Sequence, residues 1–346
     1  MNNETMEYAV LKTTELLAID SPTGYTADAE AFVIDAFQSL GFKTIHTRKG
    51  GVIADLGGPD TEEGGLVLAA HTDTLGGIVA EIKGDGRLRI TALGGLNPNN
   101  TETENCRIIT KFSGIYEGTL QLINASVHVN RDYNKTDREF DKMEIVLDEP
   151  VRSAEDVKAL GISTGDIICF DPRTRVTGSG YIKSRFLDDK LSVGILLGLA
   201  KYIRDNDLQL KRHIYAYITV YEEVGHGGSA SIPEGVSEMI SVDMGCVGSG
   251  LQCTEHQVSI CAKDSGGPYA YETVKGLIEA AIRSGADYAV DIYPFYGSDV
   301  EATLRAGCDI RHGLIGSGVY ASHGYERSHK DGVLATLKLL EAYITN

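Results

Sequence analysis

Apolar residues recur at helical spacing in the first part of the chain. The spacing predicts a helix over residues 5–19 and a second over 27–40 that ends at Gly41. Two apolar runs bounded by glycines follow, GGVIADLGG and GGLVLAAHTD. The second run is continuous, as is typical of a strand buried on both faces. The order helix, helix, strand, strand favours an α/β sheet covered by helices.

From about residue 75 the pattern changes to short pieces in which apolar and polar residues alternate between glycine turns. Such alternation predicts short strands. The next convincing helix is SAEDVKALG at 153–161, with Ser153 as a plausible N-cap and Gly161 as its stop. We therefore expect a small β-rich domain at 75–181, inserted into a larger α/β domain formed by 1–74 and 182–346.

The α/β pattern returns at about residue 182. A long helix is predicted for DDKLSVGILLGLAKYIRDN, and strands are predicted for HIYAYITVYEE and SEMISVDMG. Three more helices are predicted at YETVKGLIEAAIRSGA, DVEATLRAG and DGVLATLKLLEAYIT.

Composition narrows the class of protein. The 346 residues are 42% hydrophobic and 23% charged, as in an ordinary globular protein, and the formal net charge is −17. This much negative charge repels phosphate backbones and anionic lipid, so we expect neither nucleic acid nor a membrane surface as a partner.

The six cysteines show no C-x-x-C spacing, which favours reduced thiols. The first twenty residues lack the basic start and long apolar stretch of a signal peptide. The richest apolar run, VGILLGLAKYI, is too short to span a bilayer. These features predict a cytoplasmic protein.

Acidic and histidine residues cluster just after the predicted strands. In open α/β sheets, ligands bind beyond the carboxyl ends of the strands, so these side chains could share one rim. The candidates that follow predicted strands are His71, Asp73, Glu222, Glu223 and Asp243. Asp188 and Asp189 open the predicted long helix, where the helix dipole favours anions, and His323 and His329 lie in a glycine-bearing loop near the end of the chain. Glu222 and Glu223 are adjacent, so on a regular strand their side chains would point to opposite faces.

These residue types suit a dinuclear metal site. Imidazole and carboxylate ligands without thiolate favour Zn²⁺ or a similar divalent ion. Two ions about 3.5–4 Å apart can share a bridging carboxylate and hold a water between them. Two histidines and three carboxylates suffice as ligands, which leaves one carboxylate free as a general base.

The motifs, in their order along the chain, resemble those of the tetrahedral (TET) aminopeptidases. These are cytosolic dinuclear zinc metallopeptidases whose members carry the names glutamyl aminopeptidase or endoglucanase. The matching motifs are AAHTD, GISTGDIICFD, GYIKSRFLDDKLSVGILL, EEVGHGGSA, SVDMG, YGSDVEA and YASHGYE, which extend over nearly the whole chain.

The resemblance implies a role for each candidate. One zinc would be bound by His71, Asp188 and Asp243, and the other by Asp188, Glu223 and His323, with Asp188 as the bridge. Glu222 would be the general base that takes a proton from the attacking water and passes it to the leaving amine. Asp73 would hold His71 and fix its tautomer.

The resemblance also implies a fold and an assembly. The family fold is a mixed central β-sheet flanked by helices, interrupted by a small β-barrel-like domain that mediates assembly. Members form hollow dodecamers built from dimers, so a homo-oligomer is expected here. The expected activity is removal of N-terminal residues from short peptides, with two divalent ions per subunit: Zn²⁺, or Co²⁺ or Mn²⁺ in its place.

Some positions and functions stay open. The residues that depart from those usual in the family are Thr74, Leu75, Lys190, His226, Gly227 and Ser298. His329 lies close to His323 and could be the ligand instead, and His226 could line the pocket or only form a turn. The preferred N-terminal residue is not apparent.

Three other functions compete with aminopeptidase activity. A related dinuclear hydrolase, such as a deacylase or another exopeptidase, would use the same metal ligands. A catalytically inactive scaffold would keep the assembly domain, but Glu222 and all five ligands are present. An endoglucanase would need two carboxylates but not these histidines.

Overall fold

The structure is a computed structural model that describes residues 1–346. The helices are α1 (Asn3–Leu17), α2 (Ala27–Ser39), α3 (Ala154–Ala159), α4 (Leu187–Asp205), α5 (Tyr271–Ser284), α6 (Asp299–Arg305) and α7 (Lys330–Ile344). The strands are β1 (Lys43–His46), β2 (Val52–Gly57), β3 (Gly65–His71), β4 (Gly76–Ile82), β5 (Leu88–Leu93), β6 (Asn105–Ile109), β7 (Ile115–Leu122), β8 (Met143–Leu147), β9 (Ile167–Phe170), β10 (Arg175–Val176), β11 (Tyr181–Ser184), β12 (Ile214–Thr219), β13 (Val236–Val247), β14 (Val258–Lys263), β15 (Tyr288–Ile292), β16 (Arg311–Tyr320) and β17 (Glu326–His329).

The chain divides into two compact units. The larger comprises Met1–Asp73 and Arg173–Asn346, and the smaller comprises Thr74–Pro172. Residues 173–181, assigned from sequence to the inserted domain, lie in the larger unit. The reason is that β10 pairs with β11, and β11 pairs with β17 of the large sheet.

The larger unit is built on an eleven-stranded mixed sheet. Nine strands run in the order β1-β2-β12-β3-β13-β16-β17-β11-β10, and β14 and β15 extend from β16. In its centre, β12, β3, β13 and β16 pair in parallel. Parallel neighbours deliver their carboxyl ends to one edge, and this edge carries the candidate site.

The central strand β3 is buried along its whole length, as its continuous apolar run predicts. Leu66, Leu68 and Ala70 belong to the hydrophobic cluster that includes α1, α4 and α7. Val67 and Ala69 belong to a second cluster on the other face, which includes Val300 of α6. The sheet is thus covered on both faces, and the predicted arrangement of a mixed sheet flanked by helices is confirmed.

Helix α4 packs closely against α1. A Cβ atom at Gly194 of α4 would lie 2.6 Å from the backbone oxygen of Ala9 in α1, so this contact requires glycine. Close packing at this point fixes the position of α4, whose first turn carries Asp188.

The smaller unit is a closed six-stranded barrel with the strand order β4-β5-β8-β7-β6-β9. Leu88, Ile90, Ile108, Leu120 and Ile145 are among its fully buried side chains. The small β-barrel-like domain predicted from the alternating pattern and the resemblance is therefore confirmed.

All six cysteines are unpaired, as their spacing predicts. No helix of the chain combines the length and the apolar character needed to cross a bilayer.

Candidate metal centre

The candidate residues meet at the carboxyl edge of the parallel strands. His71 ends β3, and β12 ends at Thr219, three residues before Glu222. The pairing of β13 with β3 ends at Ser241, so Asp243 extends past that pairing. Sequence positions far apart are therefore brought together because the strands pair in parallel register.

Two groups of three potential ligands form at this edge. The first is His71, Asp188 and Asp243, and the second is Asp188, Glu223 and His323. Within each group the ligand atoms lie within 4.8 Å of one another. Asp188 belongs to both groups, which is the arrangement of a carboxylate shared by two metal ions.

The two oxygens of Asp188 face different histidines. His71 Nε2 lies 3.1 Å from Asp188 Oδ1, and His323 Nε2 lies 3.4 Å from Asp188 Oδ2. His323 Nε2 is also 3.7 Å from Glu223 Oε2. The ligand set that the resemblance implies is thus assembled in one place in the structure.

Three of the residues in the loops that present the candidate ligands have left-handed backbone. Phe186, Tyr221 and His323 have φ values of 68°, 68° and 60°. Left-handed backbone is uncommon in residues other than glycine, and for bulky residues it costs on the order of 1–3 kcal/mol. Surrounding contacts must therefore hold these loops in place.

The orientation of His71 is set by Asp73, but through its main chain. His71 Nδ1 lies 2.9 Å from the Asp73 backbone oxygen and 3.6 Å from Oδ1. The Asp73 carboxylate instead accepts the Glu222 N–H at 3.1 Å and the Thr23 hydroxyl at 2.7 Å. With Nδ1 at the carbonyl, Nε2 is free to face Asp188, as a metal ligand would.

Glu222 lies beside the first group of ligands. Its Oε2 is 3.6 Å from His71 Nε2, and its side chain is largely buried. Burial raises the pKa of Glu222 well above its usual range, and the charges of Asp243 and Asp299 raise it further, against the opposing effect of His71. This environment suits a carboxylate that exchanges a proton.

The other carboxylates are crowded as well. Burial and the charge of Asp188 raise the pKa of Asp243 to about 7. Burial and the same charge raise the pKa of Glu223, whose Oε1 atom is buried without a hydrogen-bond partner. Buried carboxylates are costly unless they are paired or bind a cation, so these residues fit divalent ions.

One residue outside the predicted set organises the centre. Glu326 is 2% exposed and accepts the N–H of Asp188 at 3.1 Å and that of His323 at 3.0 Å. Burial raises its pKa to about 8, with a further contribution from Asp188. In the sequence, Glu326 is marked only as the glutamate that ends the motif YASHGYE.

The two histidines left open by the sequence lie outside both groups. His329 accepts the Asp331 N–H at Nδ1, capping α7, and its Nε2 is 2.8 Å from the Ser179 backbone oxygen. His226 is exposed and begins a short turn. Both ring nitrogens of His329 are therefore occupied elsewhere, whereas His323 faces Asp188.

A cavity of about 510 Å³ opens beside both groups of ligands. Its walls include Glu222 and Gly227 on one side and Asp299 and Arg305 of α6 on another. Asp299 is 2% exposed and was not among the predicted site residues. The cavity is large enough for a few amino-acid residues and joins Glu222 to the candidate metal ligands.

The chain is similar in sequence to known aminopeptidases. A family model described as M42 glutamyl aminopeptidase matches residues 50–339. The chain is 46% identical over 330 residues to “Putative aminopeptidase YhfE” of Bacillus subtilis (strain 168), with 95% of each chain covered.

Two solved structures share the fold. The TET aminopeptidase of the marine sediment archaeon Thaumarchaeota archaeon SCGC AB-539-E09 superposes with a TM-score of 0.87 at 18% identity, covering 99% of this chain and 96% of that one. The PhTET1-12s dodecamer gives a TM-score of 0.84 at 20% identity, with coverages of 97% and 99%. At such identities the structural likeness carries the fold alone.

Proposed function

The chain belongs to the M42 glutamyl aminopeptidase family and is a metal-dependent aminopeptidase, and we propose that it uses a pair of divalent ions to remove N-terminal residues from short peptides. The sequence resemblance to the TET aminopeptidases is confirmed by this membership. The observation that carries the proposal is the pair of three-residue groups that share Asp188.

The proposed ions are Zn²⁺, with Co²⁺ or Mn²⁺ as alternatives. One would be held by His71, Asp188 and Asp243 and the other by Asp188, Glu223 and His323. Nitrogen and oxygen ligands without thiolate support this choice. When bound, such ions polarise a carbonyl and lower the pKa of water, which is the chemistry amide hydrolysis requires.

The chain's own residues would handle the proton and the substrate. Glu222 would accept a proton from the attacking water at its carboxylate and deliver it to the leaving amine. Asp73 would hold the backbone of Glu222 and the ring of His71. Carboxylates that line the cavity would attract the substrate's charged α-amino group, which favours cleavage at the N-terminus of a peptide.

We further propose a homo-oligomer built through the barrel unit, with a dodecamer built from dimers as the leading assembly and the cytoplasm as its location. The PhTET1-12s neighbour is a dodecamer, which supports the assembly by analogy of fold only. Light scattering coupled to size exclusion should give a mass twelve times that of one chain. A monomer at micromolar concentration would count against the assembly.

A panel of aminoacyl anilides run against Zn²⁺, Co²⁺ and Mn²⁺ tests the reaction. We expect metal-dependent hydrolysis, two bound ions per chain and rejection of N-acetylated peptides. Release of acetate or another acyl group from blocked substrates would instead indicate a deacylase. A chain that bound metal but cleaved none of the substrates would indicate an inactive scaffold.

A further inference from the structure

The turn that carries both glutamates is held at its start by its own backbone. Residues Glu222–Val224 form a 3₁₀ turn that follows Tyr221, whose φ is 68°. Gly225 N–H donates to the Glu222 carbonyl at 2.7 Å, and His226 N–H donates to the Tyr221 carbonyl at 2.9 Å. A bulky residue in left-handed backbone persists only where neighbouring contacts impose it, so the turn depends on outside support.

That support comes from a lysine far away in sequence. The Lys49 ammonium donates to the backbone oxygen of His226 at 2.5 Å and to that of Gly227, and it lies 3.5 Å from Ser229 Oγ. Lys49 belongs to the loop between β1 and β2, so its hydrogen bonds connect this loop to the end of the turn at His226 and Gly227. A flexible ammonium has three N–H donors, so it can donate hydrogen bonds to several carbonyl oxygens at once.

Buried carboxylates surround the same point. A Cβ atom at Gly227 would lie 1.7 Å from Asp299 Oδ1 and 3.1 Å from the Glu222 Cα atom, so Asp299 approaches the turn directly. Asp299 Oδ1 is buried without a hydrogen-bond partner. Burial lowers the pKa of the Lys49 ammonium, and the negative charges of Asp299 and Asp73 act in the opposite direction. Its ammonium therefore supplies positive charge next to a cluster of acids as well as hydrogen bonds to the turn.

From these contacts we propose that Lys49 is a positioning residue for the general base: it fixes the turn 221–229 so that Glu222 holds its place at the centre. The inference rests on the proposed function, because the role of Glu222 is part of that proposal. Lys49 is absent from the cavity walls and acts only through the turn.

Lys49→Met tests the inference, because it keeps the aliphatic stem and removes every donor and the charge. We expect kcat to fall by about 10- to 100-fold, the loss typical of a displacement of about 1 Å in a catalytic group, while KM stays near that of the parent enzyme. Bound metal should remain at the parent level. Unchanged kcat, or a loss in proportion to lost metal, would overturn the inference.

Hydrogen–deuterium exchange gives a second measurement that does not require activity. Amides of 223–229 should exchange faster in Lys49→Met than in the parent protein, whereas amides of β3 should not change. Equal exchange of the turn in the two proteins would overturn the inference. If Lys49→Met does not fold, Lys49→Leu, which likewise has no donor and no charge, replaces it, with the same two outcomes.

Lys12→Met is the matched control. Lys12 is also partly buried in the larger unit, and it pairs with Glu15 at 2.7 Å on α1. The control should keep the parent kcat and the parent exchange of the turn. The parent enzyme, measured in the same assay, separates the two proposals: an inactive parent contradicts the proposed function, whereas an active parent with an unaffected Lys49 variant contradicts only the role of Lys49.

Discussion

The carboxylate of Asp73 accepts the backbone N–H of Glu222 at 3.1 Å, while its main-chain oxygen lies 2.9 Å from His71 Nδ1. One residue shortly after β3 therefore contacts both the candidate base and a candidate metal ligand, through different groups. The two contacts can be separated by mutation, because only one of them involves the side chain.

Asp73→Ala should lower kcat without removing metal. The substitution deletes the acceptor for Glu222 but keeps the carbonyl that orients His71, so a loss of about 10- to 100-fold in kcat is expected with unchanged metal content. Steady-state kinetics and metal analysis of the purified variant provide the measurement. Thr23→Val, which removes only the other partner of the carboxylate, is the control. Loss of metal from Asp73→Ala would show that the side chain supports the ligand after all.

Glu222→Gln should abolish most of the activity. An amide cannot accept the proton of the attacking water, so kcat is expected to fall by about 10²- to 10⁴-fold while metal binding and folding persist. Glu234→Gln, at an exposed glutamate of the same unit, should behave as the parent enzyme. Activity of Glu222→Gln near the parent level would remove Glu222 from the role of base.

Divalent ions should stabilise the parent protein and not Asp188→Asn. A ligand that binds only the folded state adds about 2.7 kcal/mol at a concentration one hundred times its Kd, and the shared carboxylate contributes to both groups. Thermal unfolding with and without Zn²⁺, after treatment with a chelator, checks the effect. Asp309→Asn, at an exposed position, should keep the full metal-dependent shift. An equal shift in Asp188→Asn would mean that the ions bind elsewhere.

A pH-dependent contribution to stability is expected from Glu238, away from the centre. Burial favours its neutral form, but the charge and hydrogen bond of Arg212 and the hydroxyl of Thr273 outweigh burial and hold the pKa of Glu238 below its usual range. A lowered folded-state pKa adds stability above the unfolded value of about 4.3, and this stability is lost as pH falls through the folded-state pKa.

Glu238→Gln should therefore lower the free energy of unfolding at pH 7 by about 3 kcal/mol, because Arg212 loses a buried partner. The difference in the free energy of unfolding between the variant and the parent protein should narrow as the pH is lowered below about 4, where the parent carboxyl becomes protonated. Urea unfolding at several pH values measures both effects. A gap that is constant with pH would mean that the charge of Glu238 does not stabilise the fold.

Local sequence determined much of the architecture. The continuous apolar run of β3, the alternation after residue 75 and the helical spacing of α1, α4 and α7 each depend on neighbours within a few residues, which periodicity records directly. The candidate ligands were identifiable because they follow apolar strands, open the long helix or lie in a glycine-bearing loop, each in a recognisable motif. Their order along the chain was enough to name the family.

Tertiary structure decided the rest. The remaining features all join residues distant in sequence. They are the choice of His323 over His329 as the neighbour of Asp188, the contacts of Glu326 with Asp188 and His323, the pairing of β11 with β17, and the contact of Lys49 with the turn after β12. No local pattern encodes such pairs, because they arise only when strand register and helix packing bring separate segments to the same edge. The sequence by itself thus determined the kinds of residue in the centre, and only the folded chain decided which of their neighbours hold them in place.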